Sequence, residues 1–414
     1  MPRTRFPWPR TVAGLTVAAA ATAVYVTVPS AQASVPDVGR ILGTSPDVGR
    51  ILGADSPDAI AGSYIVTLKS GSEGVPARSE AGKDLARKYG GKIHQTYGTV
   101  LNGYALRLDV DQARQLAADP KVVSVAQDTK VSISGTQSTP PSWGLDRIDQ
   151  PDLPLDKSYT YPDSAGSGVT AYVIDTGVRT SHQDFGGRAT SGYDFVDNDR
   201  IAQDGHGHGT HVAATVAGSS YGVAKGANVV GVRVLDDGGS GTTAQVIAGI
   251  DWVAKNARKP AVANMSLGGV LNTQLDEAVR NAIATGVTFT LAAGNDGLLA
   301  DLTSPARVDE AVTVGATEAN DSRAYFSNWG SKLDLFAPGV SITSAWNKSD
   351  TATKSLSGTS MAAPHVAGAA ALHLASNPSA SPAQVSQALV NQSSSGKVGL
   401  AGIGSPNRLL QVKK

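Results

Sequence analysis

Three residues of this sequence supply a carboxylate, an imidazole and a hydroxyl at points where regular elements begin or end. The first, Asp175, follows the apolar run 168–174 and enters the turn Asp175-Thr176-Gly177. A carboxylate there is either a turn or helix-capping residue or the group that orients a catalytic base. Asp175 alone favours the structural interpretation, so a catalytic assignment depends on the other two residues.

The imidazole stands in segment 204–213, which contains His206, His208 and His211. Glycines on both sides of His208 leave room for another part of the chain to approach its ring. Three histidines within six positions could instead bind a metal, but the helical HExxH spacing is absent. We therefore expect His208 to act as a base, His206 to be a surface variant and His211 to pack within a helix.

The hydroxyl belongs to Ser360, in segment 358–368. This segment predicts a tight turn followed by a long helix, and Pro364 fits only in the first helical turn. Free amide groups at a helix start favour nearby negative charge. Ser360 could be a plain N-cap, but that role does not explain the small residues around it.

Serine becomes a nucleophile when a base accepts its proton and a carboxylate orients that base. The chain order here is Asp175, His208, Ser360, which differs from the order in chymotrypsin and in the α/β-hydrolases. The Gly-x-Ser-x-Gly motif is also missing, because Ala362 stands where its second glycine would be.

Composition limits the other classes of function. The 414 residues include 35 basic and 35 acidic side chains, a formal net charge of +0. This balance gives no electrostatic footprint for nucleic acid or an anionic membrane. Cysteine is absent, which excludes disulfides, thiolate metal sites and a cysteine nucleophile.

The N-terminus has the pattern of a signal peptide, which we place at residues 1–33. Arg3, Arg5 and Arg10 precede the apolar run 12–28, and Ala31-Gln32-Ala33 provides a small-x-small cleavage motif. A membrane anchor is the alternative, but the run is short for a span. The sequence therefore predicts a secreted, extracellular protein with no membrane association after removal of the signal.

Two regions are predicted before residue 135. Residues 34–62 are interpreted as a linker, because the segment 36–43 is repeated at 46–53. Residues 63–134 predict a small α+β domain. Its expected strands are 64–68, 103–108 and 122–125, and its expected helices are 79–89 and 111–118.

Residues 135–414 predict a doubly wound α/β domain with a mostly parallel sheet and helices on both faces. After an exposed connection at 135–143, apolar strands alternate with amphipathic helices. The expected strands are 168–174, 229–234, 261–267, 287–293 and 311–314, and the expected helices are 242–258, 273–285, 359–376 and 381–391. A ligand should bind beyond the carboxyl ends of the strands.

Segments 172–177, 207–213 and 358–368 together resemble the three signatures of the subtilisin superfamily. Trp143-Gly144-Leu145-Asp146-Arg147-Ile148-Asp149 and Asn264-Met265-Ser266-Leu267-Gly268-Gly269 are most similar to its proteinase K and aqualysin branch. The resemblance covers about residue 143 to the C-terminus. It implies a serine endopeptidase that cleaves peptides through an acyl-enzyme, with Asp175, His208 and Ser360 as the triad.

The same resemblance implies further site residues. Asn295 matches the asparagine that donates to the oxyanion, and residues before the cut are expected to be apolar or aromatic. The segments expected to contact substrate as an added strand comprise Leu235, Gly239, Ser240, Gly241, Ser266, Leu267, Gly268, Ala292, Ala293 and Gly294.

Region 63–134 is similar to the inhibitory propeptides of these proteases, which implies a precursor whose own propeptide assists folding and blocks the cleft. Self-cleavage is expected near Ser134-Gly135. By resemblance Asp334 could bind a structural calcium ion, with an ordinary surface residue as the alternative; no cofactor is required for the chemistry. Val212 and Ala214 depart from the family pattern, which usually has cysteine and glycine there.

Two other functions are considered as alternatives to a peptidase. A catalytically inactive subtilisin fold could serve as a binding module, but such a protein is expected to have lost a triad or oxyanion residue. An esterase could use the same nucleophile, but an ester has no backbone to pair with strand-like segments. Polypeptides are therefore the expected substrates, and the mature protein is expected to be a monomer.

Overall fold

The computed structural model describes residues 49–54, 59–98, 101–129 and 134–413, in two compact units, Met1–Thr129 and Lys130–Lys414. The predicted signal peptide and the first copy of the duplicated segment lie outside the described residues. In the described part of the chain, no helix is long and apolar enough to cross a membrane.

The first unit is a five-stranded sheet with two helices, in the order β1-β5-β2-β4-β3. Its elements are β1 Ile51–Leu52, β2 Ala59–Leu68, α1 Glu80–Lys88, β3 Lys92–Tyr97, β4 Gly103–Arg107, α2 Val110–Ala117 and β5 Val122–Thr129. Side chains of Ser79 and Asp109 cap the two helices. Tyr64, Val66 and Leu106 are buried in the core of this α+β unit.

Two sequence predictions for this unit need correction. The segment 34–62 was expected to be a linker, but Ile51–Leu52 pairs with Val125 and Ala126, and β2 begins at Ala59. The strand Lys92–Tyr97 was not predicted. Its side chains are exposed or half-buried, so it lacks the apolar run by which a strand is recognised.

The second unit begins with strand β6 Ser134–Ser138, which pairs with β7 Ser158–Pro162. Between them lies the short helix α3 Trp143–Ile148. The exposed connection predicted at 135–143 is wrong for the part that forms β6. Polar residues such as Thr136 and Gln137 make this strand unrecognisable from its hydrophobic pattern.

The remaining elements alternate strands with helices. They are β8 Thr170–Asp175, β9 Ala189–Asp194, α4 His208–Ala217, β10 Asn228–Arg233, α5 Thr243–Asn256, β11 Ala261–Met265, β12 Gly269–Val270, α6 Thr273–Ala284, β13 Thr288–Ala292, β14 Thr303–Ser304, β15 Val312–Thr317, β16 Leu335–Pro338, β17 Ile342–Ala345, β18 Thr353–Leu356, α7 Thr359–Ser376, α8 Pro382–Gln392, β19 Ser394–Ser395 and β20 Arg408–Leu409.

Nine of these strands form one sheet in the order β19-β20-β16-β15-β13-β11-β8-β10-β9, parallel except for the β19–β20 pair. The chain adds β9 and β10 on one side of β8. It then adds β11, β13, β15 and β16 in turn on the other side. Ligand sites of open α/β sheets lie at such a change of direction, beyond the carboxyl ends of the strands.

Side chains alternate between the two faces of the sheet, and each face is covered by helices. Ala171 and Val173 of β8 pack in one buried cluster with residues of α4 and α7. Tyr172 and Ile174 pack in the other, with residues of α5 and α6. This confirms the predicted doubly wound α/β architecture with helices on both faces.

Candidate active site

The carboxyl end of β8 places a buried carboxylate against the first residue of α4. Asp175 Oδ1 accepts hydrogen bonds from His208 Nδ1 at 2.8 Å and from the Thr176 amide at 2.7 Å. Asp175 is fully buried, whereas the His208 side chain is 20% exposed. Because Nδ1 donates to the carboxylate, the Nε2 atom of His208 remains as the proton acceptor.

A second buried carboxylate fixes this geometry. Asp204 Oδ1 accepts from Thr176 Oγ1 at 2.9 Å and from the amide of Gly207 at 2.6 Å. Its other oxygen accepts from the Thr210 amide at 2.8 Å, within the first turn of α4. The turn after Asp175 and the turn before His208 are thereby tied to one side chain.

Close backbone approach explains the glycines around His208. Gly207 has a φ of 113°, a conformation that L side chains rarely adopt. A Cβ atom on Gly209 would lie 2.1 Å from the carbonyl oxygen of Gly177. Without these glycines, α4 could not begin so close to the end of β8.

Electrostatics make His208 a stronger base than an ordinary buried histidine. Burial lowers the pKa of His208, but the neighbouring charge and hydrogen bond of Asp175 raise it, with a smaller contribution from Asp204. The net effect is a pKa above its usual value of 6.5. The carboxylate therefore stabilises the imidazolium that forms when His208 accepts a proton.

Ser360 lies in the first turn of α7, as the sequence predicted, but Pro364, which was expected in that turn, lies beyond it inside the helix. Its Oγ donates to the carbonyl oxygen of Ser266 at 3.2 Å, and its carbonyl oxygen accepts from Ser266 Oγ at 2.8 Å. Ser266 directly follows β11, the neighbour of β8.

Asn295 approaches the same turn from the loop after β13. Its side-chain oxygen accepts from the amide of Thr359 at 2.8 Å and from Thr359 Oγ1 at 3.0 Å. These two bonds fix the orientation of the amide and leave its Nδ2 group as a donor. Ser360, His208 and Asn295 line one cavity of about 470 Å³.

An adjoining cavity of about 550 Å³ contains most of the expected substrate segments. Its lining includes Leu235, Gly239, Ser240, Gly241, Ser266, Leu267 and Gly268, together with His206 and His208. Ala292 and Ala293 are buried at the end of β13 and line neither cavity. Gly294 lies beside them and donates its amide to Thr359 Oγ1 at 3.2 Å.

The two other histidines of the motif differ in environment. His211 is buried and its Nε2 contacts the carbonyl oxygens of Ile342 and Lys354, so it packs within the helix as expected. Burial lowers the pKa of His211 to about 4, which keeps its ring neutral. His206 is not a mere surface variant, because it lines both cavities and its Nδ1 accepts from the His208 amide at 3.3 Å.

Asp204, Trp346 and Lys354 belong to the site, although the sequence predicted no role for them. Asp204 is the first residue of segment 204–213. Its role depends on its burial, which the sequence does not reveal. Trp346 and Lys354 line the cavity with Ser360. They come from the hairpin β17–β18, which no hydrophobic run predicted.

Asp334 lies away from these cavities and is partly buried. Its Oδ2 accepts from the Thr313 amide at 2.7 Å, and it forms no ion pair with the residues that the structure describes. Burial, with a smaller contribution from the negative charge of Asp309, raises the pKa of Asp334 to about 7, although the hydrogen bond from the Thr313 amide acts in the opposite direction. The described residues contain no group of three or more histidine, cysteine or acidic side chains that could hold a metal.

Family models match both units of the chain. Residues 166–408 match the subtilase family, and residues 63–134 match the peptidase inhibitor I9 family. A crystal structure of a cold-adapted subtilisin-like serine proteinase is 58% identical, has a TM-score of 0.64, and covers 65% of this chain and 97% of its own.

Comparisons with individual proteins agree with these family matches. The chain is 50% identical over 374 residues to an extracellular serine proteinase of Thermus sp. (strain Rt41A), covering 86% of this chain and 90% of that protein. It is 49% identical over 369 residues to alkaline serine exoprotease A of Vibrio alginolyticus, covering 86% and 68% respectively. This chain therefore belongs to the subtilase family, carries a peptidase inhibitor I9 region, and is a serine endopeptidase of the subtilisin kind.

Proposed function

We propose that Asp175, His208 and Ser360 form the catalytic triad of a secreted protease that hydrolyses polypeptides through an acyl-enzyme. The observation that carries this proposal is the 2.8 Å bond from His208 Nδ1 to the buried Asp175, with His208 and Ser360 lining one cavity. The bond leaves Nε2 as the acceptor on the imidazole, which is the group a serine nucleophile requires.

In the proposed reaction Ser360 Oγ attacks the peptide carbonyl while His208 Nε2 accepts the hydroxyl proton. The C–N bond then breaks, and the imidazolium gives its proton to the leaving amine. Water attacks the resulting acyl-enzyme by the same route and releases the second product. Asp175 holds the ring in one tautomer and stabilises its charged form.

Two donors are available for the negative oxygen of the tetrahedral intermediate. One is Asn295 Nδ2, whose orientation is fixed by the bonds from Thr359 to the side-chain oxygen. The other is the backbone amide of Ser360, in the first turn of α7, where amides have no helical partner. A single donor of this kind is typically worth about 100- to 1000-fold in turnover.

Substrate is proposed to bind in extended form between residues 235–241 and 266–268, with an apolar or aromatic residue before the cut. These segments line the 550 Å³ cavity beside His208. Pairing with a backbone reads little side-chain chemistry, which supports broad specificity. An ester would leave these backbone groups without a partner, so a peptide fits the site better.

The precursor is proposed to consist of a signal peptide 1–33, a linker that begins at residue 34 and ends before strand β1, an inhibitory region that contains residues 63–134, and a peptidase domain 135–414. The match of residues 63–134 to the inhibitor I9 family supports the third assignment. The extracellular Thermus relative supports secretion. We propose self-cleavage near Ser134-Gly135 and a monomeric mature enzyme.

Calcium is proposed as a structural ion at Asp334, with no part in the chemistry. A partly buried carboxylate that forms no ion pair with any described residue and lies near Asp309 is the kind of group that a hard cation stabilises. Because the described residues contain no cluster of three or more acidic, histidine or cysteine ligands, the remaining ligands at Asp334 would be carbonyl oxygens or water, both of which suit calcium.

The central experiment is hydrolysis of casein by the purified protein and by Ser360→Ala. We expect the substitution to reduce hydrolysis by about 10⁴-fold or more, because the nucleophile is lost. The control Ser355→Ala removes an exposed hydroxyl from β18 and should retain activity. A wild-type protein that binds casein without cutting it would support the inactive module, and activity on esters alone would support the esterase.

The pH profile tests the roles of Asp175 and His208. Activity requires neutral His208, so in the wild type the acid limb of kcat/KM should have its midpoint above 6.5. Asp175→Asn removes the charge that raises the pKa but keeps the burial that lowers it. We therefore expect the limb to move to lower pH, with kcat reduced on the order of 10⁴-fold. An unshifted limb would contradict the assignment, and the exposed Asp251→Asn serves as control.

The inhibitory region should also assist folding, because a sheet built from non-local parallel pairs forms slowly. Residues 135–414 expressed alone should be inactive and should gain activity when fragment 54–134 is added during refolding. A fragment with Leu106→Asp, which disrupts the buried core of the first unit, should give no recovery. Full activity of 135–414 without any fragment would rule out the folding role.

Thermal unfolding of a Ser360→Ala background tests calcium. The pKa of Asp334 is raised from 3.8 to about 7, so the stability linked to this group is complete below about pH 4 and is lost as pH rises through 7. Calcium should offset this loss, so EGTA should lower Tm more at pH 8 than at pH 5. Asp334→Asn should remove the difference. Equal Tm values with calcium and EGTA at pH 8 would exclude the site.

A further inference from the structure

The cavity lined by Ser360 is distinct from the cavity lined by the proposed strand-binding segments, and the two share a pair of histidines. His206 and His208 line both cavities, whereas Leu235 and Gly268 line only the first and Trp346 only the second. On the proposed function, residues before the cut occupy the first cavity. A chain continuing past Ser360 must then place the residues after the cut in the second.

One wall of this second cavity carries the positive charge of a lysine side chain. Lys354 Nζ lies 4.0 Å from the centroid of the Trp346 ring, which is a cation–π contact. Both residues belong to the β17–β18 hairpin region, where Ser344 pairs with Lys354 and the Trp346 amide donates to the Ala352 carbonyl oxygen at 2.7 Å. The carbonyl oxygen of Lys354 also accepts from buried His211 at 3.1 Å.

Trp346 is itself firmly held. Only 8% of it is exposed, and its ring packs so closely on Gly207 that a Cβ atom there would lie 2.5 Å from it. The ring also meets His206 edge to face, with 6.3 Å between centroids. The ammonium group is therefore supported by a rigid aromatic surface next to the reaction centre.

The charges around this cavity favour an anionic ligand. Among the described residues that line it, Lys354 is basic, His206 and His208 are titratable, and none is acidic. The nearby carboxylates of Asp175 and Asp204 lie buried and hydrogen-bonded beneath His208. Asp236 is on the side of the first cavity, where its backbone amide bonds with the Ser240 carbonyl.

We propose that Lys354, held over Trp346, is a specificity-determining residue that favours substrates with a carboxylate side chain on the first or second residue after the cut. Two extended residues span about 7 Å, within reach of a lysine side chain on the cavity wall. An acidic side chain there would pair with Lys354, a neutral one would lose that attraction, and a basic one would be repelled. The inference rests on the proposed triad and binding direction.

The test uses internally quenched peptides that share one sequence and differ only in carrying Glu, Gln or Lys at the first two positions after the cut. For the wild type we expect kcat/KM to be about threefold higher for Glu than for Gln, the scale of one solvent-accessible ion pair, and higher still relative to Lys. High salt should shrink these ratios, because exposed charges are screened.

Lys354→Gln should bring the Glu-to-Gln ratio close to one, and Lys354→Glu should reverse the order of Glu and Lys. Lys348→Gln is the matched control, because Lys348 is exposed on the same connection but does not line the cavity. It should keep the wild-type ratios. Mass spectrometry of the products locates the cut in every peptide.

The outcomes separate this inference from the function on which it rests. If no peptide is cut by the wild type, the proposed activity fails. If all peptides are cut at the intended bond and the wild-type and Lys354→Gln ratios are the same, the activity stands and the role of Lys354 is excluded. A loss of the Glu preference in Lys354→Gln but not in Lys348→Gln supports the proposal.

Discussion

The structure of the site depends on a negative charge that is completely removed from water. Burial of an unpaired carboxylate is costly, and Asp175 offsets that cost with the amide of Thr176 and the imidazole of His208. The histidine must therefore be held where the carboxylate can reach it. This requirement accounts for the second buried carboxylate, Asp204, which joins the turn after β8 to the first turn of α4.

The need to hold His208 close to the buried Asp175 also explains why short backbone segments form so much of the site. Gly209 lies where any side chain would meet the carbonyl oxygen of Gly177, and Gly207 has a φ that favours glycine. On the other side, Ser266 holds the turn of Ser360 through two reciprocal bonds. Small residues are needed at these positions because each contact has a main-chain atom on at least one side, so the two segments must approach closely.

These contacts also determine what could be predicted from the sequence. Strands β8, β10, β11 and β13 are covered on both faces, so each is mainly apolar and shows no regular alternation with exposed polar residues. The glycine and small-residue motifs around His208 and Ser360 are local, so they were recognisable as well. By contrast, β3 and β6 have polar or exposed side chains and gave no hydrophobic signal.

Residues that enter the site from distant parts of the chain could not be assigned in this way. Lys354 and Trp346 gain their position from the β17–β18 hairpin and from contacts with His211 and Gly207, some 140 residues earlier in the chain. The role of Asp204 depends on its burial, which follows only from the packing of two turns. For Ala292 and Ala293 the family resemblance implied a place near substrate, and the structure shows that the fold buries their side chains.

A chain without cysteine must hold such distant parts together by other means. Arg147 is fully buried in α3, and its guanidinium forms two hydrogen bonds with Asp321, at 2.6 Å and 2.9 Å, across 174 residues of sequence. Because removal of one partner from a buried pair typically costs about 3–5 kcal/mol, α3 has one favourable docking position. That position lies beside β16, whose neighbour β15 joins it to β13 and so to the loop of Asn295. A buried ion pair thus holds α3 in place across a long stretch of sequence, as a disulfide could, and it does so beside the strands that lead to the loop of Asn295.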